Sequence, residues 1–180
     1  MRLKHKAFAY ITHGNRLLVF DHVHYPEAGT QVPAGTILPG ECPEAAVLRE
    51  AEEETGLTGL RLVGFLGEVD FVVRSRNEVH RRRFYHLACT GPPPESWTHY
   101  ERSPSDGTTE PILFKLYWVD LPGGLPPLPG GLPPLADGLP PLADGLPPLA
   151  DGLPPLAGAV PRLAPGHDAM LGRLTATLGR

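Results

Sequence analysis

From Gly124 to Gly158 the chain repeats a seven-residue unit five times, GLPPLPG, GLPPLAD, GLPPLAD, GLPPLAD and GLPPLAG, and this stretch decides where a packed domain can form. Leucines three apart in a period of seven would suit a coiled coil. Two adjacent prolines per unit forbid one, because each removes a helical donor and clashes with the preceding turn. Polyproline-II stretches broken by glycine are the expected conformation. The repeat reads as a tolerated low-complexity linker, with a peptide ligand for a partner's aromatic groove as the sharper alternative. It divides the chain into a core over residues 1–123, a linker over 124–158 and a closing segment over 159–180. Within that last segment GHDAMLGRLTATL, Gly166 to Leu178, is amphipathic. Ala169, Leu171, Leu174 and Leu178 would form the apolar face of a helix packed on the core.

Composition enters as a set of exclusions. Hydrophobic residues make up 41% and charged residues 20%, which is enough apolar matter for a buried core. The net charge of −4 argues against a nucleic-acid duplex or an anionic membrane surface as partner. Cys42 and Cys89 are the two cysteines, too few for a disulfide framework, so a reducing cytoplasm is the expected compartment. The opening MRLKHKAFAYITHG has basic residues but no apolar run long enough for a signal peptide or a membrane span.

Ahead of the linker the pattern is strands, one helix, then strands. Lys6 to Thr12 and Leu17 to His22 are rich in β-branched and aromatic residues, and His13-Gly14-Asn15-Arg16 between them suits a tight hairpin. A helix is predicted from Pro43, where the missing proline N–H removes nothing, with Cys42 as a weak N-cap. Gly56 is placed to end it in a left-handed conformation. Leu60 to Val73, Arg83 to Thr90 and Ile112 to Leu121 read as further strands. The polar RSRNEVHRR is expected to be a connection, and WTHYERSPSDGTTEP, after the break GPPPE, an irregular loop. Such an order implies an α+β or mixed layered domain rather than repeated βαβ units.

One stretch carries the chemistry: GTILPGECPEAAVLREAEEETGL, Gly35 to Leu57. On the predicted helix Glu50, Glu53 and Glu54 lie three and four apart, so their carboxylates stack on one face and repel. A cation compensates such an array, and a divalent metal is the economical choice. Mg²⁺, or Mn²⁺ in its place, takes oxygen ligands of this kind together with substrate phosphate oxygens. Backbone carbonyls around Ala34 and Gly35 are further candidates, because glycine permits close backbone approach. Glu41 is placed to join or orient the shell, and Arg49, four residues before Glu53, to hold a carboxylate by a charge-assisted hydrogen bond. Acidic runs often mean only a solvated helix face. Seven fixed identities, however, arise by chance on the order of once in a million chains of this length, which sets this run apart.

The spacing Gly-x5-Glu-x7-Arg-Glu-(apolar)-x-Glu-Glu-x-Gly-(apolar), met by Gly35, Glu41, Arg49, Glu50, Ala51, Glu53, Glu54, Gly56 and Leu57, is that of the Nudix box, and the chain resembles a Nudix hydrolase. The resemblance covers 23 residues directly, and the flanking strand order extends it over about residues 3 to 121. It implies an α/β/α sandwich around a mixed sheet and Mg²⁺-dependent hydrolysis of a nucleoside diphosphate linked to another group. By the same resemblance Glu50, Glu53 and Glu54 are the metal ligands. The catalytic set is Glu53, Glu50 and Arg49, with Glu53 a candidate general base. Gly35, Glu41 and Gly56 support them. A small nucleotide-type molecule is the implied partner, and a homodimer is left open. The alternative is a nucleotide-binding or regulatory module without catalysis. Ala34 stands where family loops often carry a second glycine, and the proline heptads have no counterpart there.

The substrate is not specified by these residues. Arg74, Arg76, Arg81, Arg82 and Arg83 suit either substrate phosphates or a solvated basic hairpin. Phe71, Tyr85, Trp97 and Tyr100 suit base stacking or the core. Glu68 and Glu110 lie outside the box as candidate extra ligands or bases. His80, His86 and His99 lack metal-ligand spacing, and Cys89 sits in an apolar strand and is expected in the core.

Overall fold

The computed structural model describes residues 1–101, 110–121 and 163–178. The proline heptads, and with them the linker reading, lie outside the described residues.

The strands are β1 (Arg2–His13), β2 (Arg16–His22), β3 (Ala34–Thr36), β4 (Leu60–Val73), β5 (Glu78–Cys89), β6 (Ser96–Glu101) and β7 (Ile112–Asp120), and the helices are α1 (Pro43–Thr55) and α2 (Leu171–Leu178). All seven strands join one sheet in the order β4-β5-β1-β2-β7-β6, with β3 paired to β1 beside this path. β1 and β5 run parallel while the other pairs are antiparallel, so the sheet is mixed. Because side chains alternate across a strand, β1 serves both faces at once. Ala7, Ala9 and Ile11 meet Ala46, Val47 and Ala51 of α1, with Tyr85 and Leu87 of β5 beside them. Phe8 and Tyr10 meet Leu174 of α2 and Phe84 on the opposite side. This is a sheet covered by a helix on each face, the α+β layering expected.

The helix α1 forms where predicted, from Pro43 to Thr55. Cys42 precedes it without a side-chain capping bond, and Gly56 follows it at φ 70° with its N–H on the Glu52 carbonyl. Several elements differ from the sequence reading, among them β1, which begins at Arg2 rather than Lys6. β5 begins at Glu78 rather than Arg83, because the turn needs only Arg74 to Asn77, with Asn77 taking the positive φ of 51°. The basic run therefore continues as strand. Arg81 and Arg83 project to Asp70 and Glu68 of β4 at 2.9 and 3.1 Å, while Arg82 turns to the other face. Residues 96–101, expected as irregular loop, form the edge strand β6, paired with β7 from Ser96↔Tyr117 to Glu101↔Ile112. Its period-two alternation is hidden by polar residues on both faces. The three-residue β3 was not foreseen, being too short to show periodicity. The closing helix starts at Leu171, after turns that carry Gly166 to Met170. Leu174 is its fully buried residue, and Ala169 is exposed.

Those turns tie the closing segment to the sheet by polar contacts as well. Tyr10 donates from its hydroxyl to the His167 carbonyl at 2.7 Å, and the Met170 N–H donates to the Tyr10 oxygen at 3.2 Å. Arg173 reaches the Leu66 carbonyl at 2.6 Å, and Arg82 reaches that of Pro165 at 2.9 Å. Among the described residues no helix is long and apolar enough to cross a membrane.

Candidate active site

The site lies where α1 crosses β3 and the N-terminal half of β1. Glycine at position 35 is required there by close approach. A Cβ built on Gly35 would fall on the Glu50 carboxyl group, so the missing side chain is the space this carboxylate occupies. Glu50 and Glu54 are buried, at 4% and 6% exposure. The Glu53 side chain keeps 46% of its surface open. Helical spacing put the three carboxylates on one face; packing against β3 buries two of them and leaves the third at the rim.

Arg49 organises this face. Its Nε and Nη2 donate to the two oxygens of Glu41 at 2.8 and 3.0 Å. Nη1 donates to Glu50 at 2.9 Å and to Glu53 at 3.2 Å, and Nη2 also reaches the Thr36 carbonyl at 3.2 Å. Glu41 is itself held by the Leu38 N–H at 2.8 Å. The planar guanidinium fork suits this work, since it can engage several oxygens in fixed geometry. Glu54 is held differently: its Oε2 accepts the Ala34 N–H at 2.8 Å. At this position the backbone contributes an amide donor to a carboxylate, alongside whatever its carbonyls offer.

The electrostatics follow from burial. Burial pushes the Glu50 carboxyl up from its ordinary range, with Arg49 pulling the other way. Glu54 is pushed well above that range, by burial first and then by the Glu101 carboxylate, against the Ala34 hydrogen bond. Lys6 of β1 belongs to the same field: burial draws its ammonium down, and Glu50 opposes that.

Glu101 is the residue the sequence did not reveal. Of the candidate acids outside the box, Glu68 pairs with Arg81 and Arg83 and Glu110 is exposed. Glu101 is 6% exposed at the end of β6 and lies near enough to Glu54 to raise it. A signal existed in WTHYE, whose Trp97, His99 and Glu101 share one strand face, but only once the segment is known to be a strand. Among the other candidates, Tyr85 is core and Tyr100 is exposed. Phe71 stacks under the Arg82 guanidinium at 3.7 Å. His80 bonds Glu78 at 2.9 Å, and His86 bonds Thr12 at 2.9 Å. Cys89 is buried as expected.

A glycine-floored pocket for one acid, a helix bearing three and an arginine fork tied to a fourth stand in the order the box prescribes. The NUDIX domain model matches residues 3–122. The chain belongs to the Nudix family. Among solved structures this Nudix chain is similar to the MutT NUDIX hydrolase from Burkholderia pseudomallei, at 26% identity and a TM-score of 0.49, over 70% of this chain and 88% of that one. It is also similar to a NUDIX hydrolase from Nitrosomonas europaea, at 21% identity and a TM-score of 0.45, over 63% and 72% of the two chains. A hydrolase of the NUDIX family from Clostridium perfringens matches at 21% identity and a TM-score of 0.43, over 65% and 81%. A comparison with curated protein sequences returned no match. Family membership makes the chain a Nudix-type pyrophosphohydrolase, of a family that generally uses divalent metal ions and acts on small nucleotide-type molecules.

The residues can be tested against such an ion. As they stand, Arg49 holds Glu50 and Glu53 while the Ala34 amide holds Glu54. Among the described residues no three His, Cys, Asp or Glu side chains form a metal-holding group. The donor chemistry nevertheless fits: all candidate ligands are hard carboxylate oxygens. Glu50 and Glu54 are buried where ionisation is disfavoured, and Glu101 adds to the repulsion on Glu54. A hard divalent cation relieves this kind of strain.

Proposed function

We propose that this Nudix enzyme hydrolyses a diphosphate bond in a nucleoside diphosphate linked to another group, with Mg²⁺ or Mn²⁺ held by Glu50, Glu53 and Glu54. The observation that supports this best is the pair of buried carboxylates, Glu50 and Glu54, on one helix face, both of which burial pushes above the ordinary carboxyl range. Arg49 is the positioning residue of the set. With Glu41 anchoring one side of its fork, the guanidinium fixes where Glu50 and Glu53 point and spreads positive charge along the rim. Bound beside these groups, a divalent ion supplies neutralisation of diphosphate charge and acidification of water.

Glu53 is the candidate general base. Its side chain is the exposed one of the three, so it can meet a water at the rim and take its proton, while Glu50 and Glu54 are enclosed. Gly35 keeps the floor beneath Glu50 free of a side chain, and Gly56 ends the helix directly after the last carboxylate.

A hydrolysis panel with Mg²⁺ and Mn²⁺, covering nucleoside triphosphates, nucleotide sugars, ADP-ribose, coenzyme A and dinucleoside polyphosphates, tests the reading. At least one diphosphate should be cleaved. Glu53→Gln and Glu54→Gln should each lower kcat by about 10²-fold or more while circular dichroism stays unchanged. Full activity in both variants would sink the assignment. Tight nucleotide binding with no cleavage in either metal would replace it with a non-catalytic nucleotide-binding module.

A further inference from the structure

The last turn of α1 is held by side chains from a strand more than 40 residues away. A helix leaves its final carbonyls without in-helix donors, and something else must satisfy them. Here the Gly56 N–H takes the Glu52 carbonyl. The Leu57 N–H, next in the series, bonds instead to the Thr55 hydroxyl at 3.1 Å. The carbonyls of Glu53 and Thr55 are reached from β6. His99 donates from Nε2 to Glu53 at 3.0 Å, and Trp97 donates from Nε1 to Thr55 at 2.8 Å.

The next inward residue of that strand is Glu101. Along β6, Trp97, His99 and Glu101 turn inward while Ser96, Thr98 and Tyr100 are exposed. Two residues of one strand face thus grip the backbone of the turn that carries Glu53 and Glu54, and the third places a carboxylate beside Glu54. Gly56 completes the fit. A Cβ there would come within 2.7 Å of His99 Nδ1, so the glycine serves the left-handed helix end and the approach of the imidazole together.

We propose that Trp97 and His99 are positioning residues, whose ring N–H groups lock the last turn of α1 onto β6 and so fix where Glu53 stands and how Glu54 is spaced against Glu101. The inference rests on the hydrolase reading above, in which Glu53 and Glu54 hold the metal and Glu53 meets the water. Neither ring touches substrate in this role; both act through the helix backbone. Partners that orient metal-binding groups without binding the metal typically matter by about 10- to 100-fold in affinity or activity.

The test compares His99→Ala, His99→Gln and Trp97→Phe in the full chain. Each is measured for kcat and KM on the best diphosphate from the panel, and for Mn²⁺ affinity of the substrate-free protein by calorimetry. His99→Ala and Trp97→Phe should lower kcat by about tenfold or more and weaken Mn²⁺ by a similar factor, with KM within about twofold. His99→Gln, which returns an N–H donor near the Nε2 position, should recover most of both losses. The inference is overturned if His99→Ala keeps kcat and Mn²⁺ affinity within about twofold of wild type, or if His99→Gln is as impaired as His99→Ala. Wild-type protein that neither binds Mn²⁺ nor cleaves any diphosphate would overturn the hydrolase reading and this inference with it. An active wild type with unaffected variants overturns this inference alone.

Discussion

Gly35 and Arg49 show how much of the site rests on single side chains. The Glu50 carboxyl occupies the volume of a Gly35 side chain, so even a methyl group must displace it from Arg49. Gly35→Ala is therefore expected to lower kcat by about 10²-fold through misplacement of one acid. Its thermal midpoint should move by only a few degrees, because the displaced group is a side-chain end rather than core. A steady-state assay beside a melting curve distinguishes this outcome from general unfolding. Arg49 is the reverse case. Its role was legible from i,i+4 spacing to Glu53, yet the fold gives it Glu41, Glu50 and the Thr36 carbonyl as well. Spacing shows the Glu53 pair, while the bonds to Glu41 and to the Thr36 carbonyl depend on how β3 and the loop after it pack against α1.

At the scale of elements, α1 combines a structural face and a chemical one. Ala46, Val47 and Ala51 seat it on the sheet, and the same seating buries Glu50 and Glu54. A carboxyl raised in the folded state binds its proton more tightly there than in the unfolded chain. For these two groups the metal-free protein thus loses stability as pH rises above the ordinary carboxyl value of 4.5. A divalent ion that binds the ionised carboxylates reverses this. Mg²⁺ at about a hundredfold excess over its Kd should stabilise by about 2.7 kcal/mol. The rise in Tm should be larger near pH ~8 than near pH ~5, where protons compete for the same oxygens. Scanning calorimetry with and without chelator measures it, and a pH-independent shift would contradict the assignment of the buried carboxylates as ligands. The helix itself was readable to the residue, from Pro43 at its start to Gly56 at its end. The strand β6 was not. Its stability comes from pairing with β7 and from its grip on α1, neither of which leaves a mark in WTHYE alone.

Across the whole molecule, the closing segment makes the second face of the sandwich, and His167 is its titratable pin. The imidazole stacks edgewise on Phe8 at 4.9 Å, and its Nδ1 accepts the Val32 N–H at 3.3 Å. Burial, and then the Arg82 guanidinium, push it down to about 3 from 6.5. Because the unfolded chain takes the proton more readily, the contribution is fully present above pH 6.5 and is lost as pH falls toward 3. The loss should reach up to ~1.4 kcal/mol per pH unit, and His167→Gln should flatten that acid limb in a urea-unfolding series. An unchanged limb would place the acid sensitivity elsewhere.

What the sequence determined by itself is the local and periodic part: the helix with its start and stop, the three stacked carboxylates, the box that names the family, and most of the strands. Those features depend on residues within a few positions of one another, and spacing records them. The tertiary structure decided which two carboxylates are buried, that Glu101 stands near Glu54, and that Trp97 and His99 hold the helix end. Each of these depends on segments brought together by sheet pairing and core packing, where distance along the chain no longer measures distance in space.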